Sequence, residues 1–399
     1  MRILFLSHTF PLPIDDGVRL QCYYLLKELA KSHSIYLLCL NDSAVSNDAK
    51  EKIRSLGIRL VDVIEHPVPR SFWQRLANSL FDPVPFCVRQ FESKLLRKTL
   101  KNFLSNTPID VVHVNYLSMS IYRDEFPLIP SIFFPLDAVS MMFERNIRFE
   151  TNIFRKFYMY LQWKKVINFE SKILLKFEEN MVVSPVDKDH LLKRCPKAKI
   201  EVSPLGLNTD YFIPKQNVLE ESDSILFRGV MNFFPNTDAV RYFYKTIFPM
   251  VRKQSPSAKF YVVGKSPSSD ILAWAKEDSG LTLTGFVDDI RIWMARASVV
   301  VCPMRVGSGI KIKIMESMSM GKAIVSTSLA CAGLEVKNEE HLLIEDDPFL
   351  FAQKIVYLLK DRQARIKLGN KARKFVLESY SWSKNTADFE KLYKRAFLR

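Results

Sequence analysis

The sequence predicts two α/β domains of similar size, each a doubly wound parallel sheet, facing one another across a cleft. Three observations carry this expectation. Short apolar runs, of the kind that strands buried on both faces require, alternate with helical patterns along the first half. The same alternation begins afresh in the second half. Between them, near Ser203–Ser222, lies a polar stretch with Pro204 and Pro214 and few apolar runs. A chain of 399 residues is long enough for two or three domains. The expected divisions are 1–205, 206–378 and a terminal helical segment, 379–399, packing back on the first domain.

In order, the first-half strands are expected at Ile3–Leu6, Ile35–Leu40, Ile58–Val63, Val111–Asn115, Ser131–Leu136 and Asn180–Ser184. Helical patterns fall at 19–31, where Leu20, Tyr24, Leu25 and Leu29 share a face, at 90–104, and over 152–178. The second-half strands are expected at Ser224–Gly229, Lys259–Gly264, Leu281–Gly285, Val299–Pro303, Ala323–Thr327 and His341–Ile344. Its helices are expected at 236–253, 268–277, 288–296, 311–319, 348–360 and 362–378. Four of these strands end in Gly229, Gly264, Gly285 and Pro303. Glycine there permits either a tight turn or the close approach of a ligand to the backbone.

Composition bounds the function. Hydrophobic residues make up 48% and charged residues 25%, which excludes a disordered or fibrous chain. No apolar run is long enough to span a membrane. The start, MRILFLSHTFPLP, reads as a buried first strand and not as a secretion signal. The six cysteines (22, 39, 87, 195, 302, 331) form no CxxC pair, which argues against a disulfide framework or cysteine zinc site and fits a reducing, cytoplasmic compartment. The net charge of +15 is spread along the chain with no reading motif, which argues against nucleic-acid binding. A phosphorylated substrate or an anionic membrane surface accounts for it as well. A dinucleotide-dependent oxidoreductase would need a G-x-G-x-x-G turn after a strand, and neither half has one.

The densest chemistry lies in Pro303–Glu335, PMRVGSGIKIKIMESMSMGKAIVSTSLACAGLE. A strand runs into a small-residue turn, Gly307-Ser308-Gly309, and a helix is expected from near Ile310 to around Gly321. Its first-turn amides and positive dipole end suit an anion. Arg305, Lys311 and Lys313 surround that opening. Lys311 and Lys313 would stand about 200° apart on a helix, so one phosphate is expected to meet Lys313 and not Lys311. Glu316, among Ile310, Ile314, Met315 and Met318, needs a partner, either sugar hydroxyls or a local ion pair.

This stretch resembles the retaining glycosyltransferases of family four, which have the GT-B architecture of two Rossmann-like domains. It looks like the subgroup with a G-S-G turn, associated with bacterial polysaccharide biosynthesis. FRGVMNFFPNTDAVRYFYKTIFP, FYVVGKSP and LTLTGFVDDIRIWMARASVVVCPMRVGSGIK follow in the order of that subgroup, and SHTFPLPIDDGVRLQCYYLLKELAKSHSIYLLCL resembles its first strand, glycine loop and helix. The resemblance implies a nucleotide-sugar donor on the C-terminal domain, an acceptor on the N-terminal domain, and retention of anomeric configuration. It gives Glu316 the ribose hydroxyls. The Arg and Lys that relatives carry after the first glycine of the donor domain have no counterpart in Gly229–Pro235, and Arg228 precedes that glycine and need not point inward. The diphosphate therefore falls to Lys313, or to Arg305 or Lys311, with the helix-start amides near Ile310 beside them, and the turn amides of Gly307, Ser308 and Gly309 share in holding the donor sugar. Ser308 stands where the family has its first glutamate, which leaves the donor sugar open. Gly229 and Gly264 lie on the donor side. Gly17 and Arg19, after Asp15-Asp16, match the N-terminal glycine loop, and Asp15 or Asp16 also suits a helix cap.

Asn115 matches a catalytic histidine position of the family. His113, on the same face of that strand, and Asp137, at the next strand end, are further catalytic candidates, with a hydrogen-bonded core histidine as the competing reading of His113. Neither a metal nor a cofactor is expected. The partners implied are a nucleotide-sugar donor, a saccharide or lipid-linked acceptor, and an anionic membrane surface met by two aromatic and basic stretches, Arg70–Phe81 and Phe154–Lys165. That places the protein in the cytoplasm, peripheral on the inner face of the cell membrane. A sugar-nucleotide epimerase or a non-catalytic nucleotide-sugar-binding protein of the same double fold is the alternative.

Overall fold

The structure, a computed structural model, describes residues 1–14, 17–67, 78, 81–150, 152–307 and 310–398. It divides into two compact units. One comprises Met1–Gly206 with Trp382–Arg399, and the other Leu207–Ser381.

The first unit is built on seven strands: β1 (Arg2–Ser7), β2 (Ser34–Asn41), β3 (Arg59–Glu65), β4 (Val111–Asn115), β5 (Ser131–Leu136), β6 (Glu179–Val182) and β7 (Ile200–Val202). They lie in the order β3-β2-β1-β4-β5-β6-β7, and every pairing is parallel. β1 is flanked in register by β2 (Ile3 opposite Ile35) and β4 (Ile3 opposite Val111), and its Ile3, Leu4, Phe5 and Leu6 are fully buried. One face of the sheet packs on Leu96 and Leu100 of helix Lys94–Asn106 and on Val166 and Ile173 of helix Ile153–Leu174. The helix Trp382–Phe397 belongs to this unit and lies along β4, β5 and β6.

The second unit has six strands: β8 (Ser224–Arg228), β9 (Lys259–Val263), β10 (Leu281–Gly285), β11 (Val299–Cys302), β12 (Ala323–Ser326) and β13 (Leu343–Ile344). Their order is β10-β9-β8-β11-β12-β13, again all parallel. In each sheet the chain winds outward to one side and then returns to the other. The winding reverses between β1 and β4, and between β8 and β11. Each sheet is thus a doubly wound, Rossmann-like sheet.

Local chemistry explains most helix starts. Ser46, Ser93, Asn152, Ser184, Asp289, Asp347 and Asp361 each accept a hydrogen bond from a first-turn amide of the helix that follows. Pro185 and Pro348 sit in first turns, where no amide hydrogen is needed. The helix expected at 236–253 runs from Phe234 to Gln254 but widens to a π turn at Phe243–Ile247. Pro249 follows at once, and it has no N–H to give the carbonyl four residues back. The helix expected from Ile310 begins at Ile312 instead. Lys311 precedes it at φ −87° and ψ 86°, outside helical geometry.

Elements not expected include the short strand β7, the polar helix Asn47–Arg54, the short helices Phe86–Arg89 and Ser328–Cys331, the tight helical turns over Leu117–Glu125, and the helix Val139–Phe149. Among the described residues, no helix is long and apolar enough to cross a membrane.

Candidate functional site

In an open parallel sheet, ligands bind beyond the carboxyl ends of the strands where the winding reverses. In the second unit that point lies between the ends of β8 and β11. Arg228 closes β8, Cys302 closes β11, and the helix Ile312–Ser319 starts ten residues beyond Cys302, carrying Lys313 and Glu316.

Glu316 is buried, and its carboxylate pairs with the guanidinium of Arg228, whose side chain is 21% exposed. Glu316 thus has a partner within the protein. Arg228 Nε is buried with no hydrogen-bond partner in the protein. Burial lowers the Arg228 pKa to about 10. Lys313 lies alongside. Its Nζ donates to Asn236 Oδ1 at 2.6 Å and sits 4.6 Å from the centre of the Phe227 ring. Burial drives its pKa down to about 8, with the charges of Arg228 and Lys311 pushing the same way. Lys313 is a partly buried ammonium met by a neutral amide, and Arg228 keeps one buried N–H unpartnered beside its ion pair, so both can accept an added anion.

Lys311 is also buried here and acts on both Lys313 and the Cys302 thiol. The expectation that one phosphate meets Lys313 and not Lys311 rested on a separation of about 200° that holds only within a helix, and Lys311 stands before the first helical turn. Arg305, half-exposed, is held by Asp238 at 2.7 Å and lies over the Tyr242 ring at 4.2 Å. Gly307 has φ +116°, and a Cβ there would lie 3.4 Å from Pro235 and 3.7 Å from Lys311 Nζ. Ile310 is partly buried against the core of this unit. Ser308 and Gly309 lie outside the described residues.

The two strand-end glycines have internal reasons. A Cβ on Gly229 would meet the Asn236 amide at 2.7 Å, so glycine lets Asn236 reach Lys313. A Cβ on Gly264 would fall 1.8 Å from the Gly229 carbonyl oxygen, so the room that Gly264 leaves is taken by backbone and not by a ligand. Arg228, set aside in the sequence because it precedes Gly229, closes β8 beside Glu316 and Lys313. Asn236 is the residue that the sequence did not reveal, hidden in an ordinary helix start.

In the first unit, Gly17 opens the helix Gly17–Leu29 and is exposed. Arg19 Nε donates to Thr9 Oγ1 at 3.3 Å. Asp15 and Asp16 lie outside the described residues, as does most of the stretch from Arg70 to Phe81. Asp137 is exposed just beyond β5. His113 is a core residue. It is fully buried, stacked on Phe5 at 4.2 Å and hydrogen-bonded through Nδ1 to Tyr393 Oη at 2.7 Å. Burial drives its pKa to about 3. A fully buried ring held by Tyr393 matches the hydrogen-bonded core reading of His113 and leaves it no solvent-facing surface. Asn115 is likewise fully buried, its amide nitrogen and oxygen both without a hydrogen-bond partner. No solvent-facing surface remains to it for a catalytic contact.

Residues 222–361, which hold this whole site, match the family model described as Glycosyl transferases group 1. An uncharacterized 44.6 kDa protein in the cps region of Klebsiella pneumoniae is 22% identical over 235 residues, 56% of this chain and 60% of that protein. The chain thus spans less than two thirds of this curated relative. Among solved structures, Anabaena HepE in complex with UDP aligns over 99% of this chain and 100% of its own, with a TM-score of 0.67 and 12% identity. Sucrose-phosphate synthase from Thermosynechococcus elongatus aligns over 100% of both chains, with a TM-score of 0.66 and 14% identity. These likenesses establish the fold as GT-B, two Rossmann-like domains.

Proposed function

We propose that the chain is a glycosyltransferase that moves a sugar from a nucleoside-diphosphate donor to an acceptor hydroxyl with retention of configuration. The observation that carries this reading is the group of partly or fully buried cations, Arg228, Lys311 and Lys313, gathered with Glu316 where the second sheet reverses its winding. The group 1 glycosyltransferase match over these residues supports it. Arg228 and Lys313 take the diphosphate and neutralise the charge that grows as the glycosidic bond breaks. The Glu316 carboxylate has lone pairs beyond those used by Arg228, enough to accept from the ribose hydroxyls. The UDP bound by HepE makes uridine the first base to try.

The acceptor is a growing or lipid-linked saccharide, and the setting is surface polysaccharide assembly. The cps-region relative supports that setting. In the helix Ile153–Leu174, Ile153, Phe154 and Phe157 are exposed beside Arg155 and Lys156, which suits an anionic lipid surface at the inner face of the membrane.

The test is product analysis by NMR. The protein is incubated with α-linked nucleotide sugars and saccharide or lipid-linked acceptors, with and without anionic vesicles. An α-linked product, formed faster on vesicles, is expected. A β-linked product would overturn retention, an interconverted nucleotide sugar would show an epimerase, and turnover indifferent to vesicles would remove the lipid surface.

A further inference from the structure

The second unit holds a cavity apart from its cation group. It measures about 360 Å³ and opens between the last turns of helix Pro348–Lys360, the start of helix Arg362–Ser379 and Leu343, the first residue of β13. Helix Pro348–Lys360 leaves β13 at its carboxyl end and runs back along the sheet, so its last turns lie at the amino edge. Helix Arg362–Ser379 packs at that same edge, where a Cβ on Gly369 would fall 2.0 Å from the carbonyl oxygen of Gly321, just before β12. The cation group around Arg228 lies at the other, carboxyl edge.

The floor of this cavity is apolar. Leu343, Leu358 and Leu368 line it, and each is buried in the core of the second unit. Its rim is cationic. Lys354, Lys367 and Lys371 line it beside the exposed Tyr357, and the one acidic residue among them is Glu339. Lys354 is held by Glu345 at 3.1 Å and by the Ile344 carbonyl at 2.7 Å. Lys367 and Lys371 are exposed and have no ion-pair partner among the described residues. Four apart on one helix face, these two ammoniums repel each other, and an anion between them relieves the repulsion. The wall that carries Glu339 is set by backbone: Glu339 N–H donates to the Leu342 carbonyl at 2.8 Å, and Ile344 N–H donates to Asn338 Oδ1 at 2.7 Å.

Lysine stems commonly lie flat over apolar surface and cover it. Here they border a hollow and leave it open, with room for a small organic molecule. An inorganic anion would meet the ammoniums and leave the leucine floor wet. A neutral apolar molecule would cover the floor and leave the ammoniums repelling. We propose that this cavity is a second ligand site, for an amphipathic anion: an apolar ring or chain resting on Leu343, Leu358 and Leu368, with a phosphate or carboxylate head between Lys367 and Lys371. The site does not depend on the transferase reading.

The test is lysine footprinting of the full chain. The protein is lightly acetylated with an amine-reactive ester, with and without 1-naphthyl phosphate or octanoate, and each lysine is read by mass spectrometry. Lys253 and Lys276, exposed on other helices of the same unit, are the references. At least one of the two anions is expected to protect Lys367 and Lys371 and leave Lys253 and Lys276 as they were. Inorganic phosphate and the neutral 1-naphthalenemethanol should protect neither pair at that concentration. In Lys371→Gln, protection of Lys367 should need roughly tenfold more anion, as the loss of a charge-assisted hydrogen bond implies, while Lys276→Gln should behave as the wild type. The proposal is overturned if neither anion protects Lys367 and Lys371, or if all four lysines are protected alike. It is also overturned if inorganic phosphate or the neutral alcohol protects as well, or if Lys371→Gln needs no more anion than the wild type. Nucleotide binding at the cation group is not read by these lysines, so its failure would leave this site standing.

Discussion

Lys313 is the residue whose chemistry is most open to measurement. Its ordinary pKa is near 10.5, and burial brings it to about 8. Below pH 8 it is charged in both the folded and unfolded chain, and the cost of burying that charge is borne in full. Between about pH 8 and 10.5 the unfolded chain keeps a proton that the folded chain has shed, so Lys313 makes stability rise with pH over that window. A bound diphosphate favours the ammonium and pulls the proton back. Nucleoside diphosphate binding at pH 8 to 9 should therefore take up protons, seen as a dependence of the calorimetric heat on buffer ionisation enthalpy. Affinity should fall as pH rises through this range. Lys313→Arg should abolish the uptake, and Lys313→Met should weaken binding roughly tenfold or more, as losing a charge-assisted hydrogen bond implies. An unchanged heat across buffers would remove Lys313 from the anion site. Lys313 and Glu316 stand out in the sequence as a charged pair three apart on a largely apolar helix. The side Lys311 takes depends on where that helix starts, and helix ends are what sequence patterns locate least well. Arg228 was set aside because the direction of a side chain at a strand end, here toward a distant helix, is not written in the local sequence.

At the scale of elements, the strands were readable because parallel strands buried on both faces are apolar throughout, as Ile3–Leu6 and Val299–Cys302 are. What escaped notice carried little of that signal. β7 has three residues, and helix Asn47–Arg54 buries only Ile53. Where β8 and β9 end, Gly229 and Gly264 make a backbone-to-backbone contact beside the cation group. Gly264→Ala drives a methyl into the Gly229 carbonyl. It should cost roughly 2–4 kcal/mol of stability by urea unfolding and displace Asn236 from Lys313. The same substitution at Gly285, where a Cβ would meet nothing within 4 Å, should cost only the strain of its φ of +68°. Equal losses at the two sites would show that the backbone contact is not what Gly264 serves.

For the whole molecule, the two sheets share one plan and differ in what they place at the turning point. The second unit gathers cations and a carboxylate, which the proposed function assigns to a nucleoside diphosphate. The first sets the His8 imidazole beside aromatic rings. The double plan was visible in the sequence as an alternation that starts twice. The contents of the first edge were not, because His8, Phe91, Tyr116 and Ser118 come from three distant stretches that only the fold brings together. The central claim is that Arg228, Lys311, Lys313 and Glu316 form a nucleotide-sugar site. Calorimetric titration of UDP, GDP, ADP and TDP into the wild type and Glu316→Ala tests it most directly, with circular dichroism showing that both are folded. One nucleotide should bind with micromolar affinity and bind more weakly to the variant. A folded wild-type protein that binds none of the four, or a variant that binds as tightly as the wild type, would contradict it.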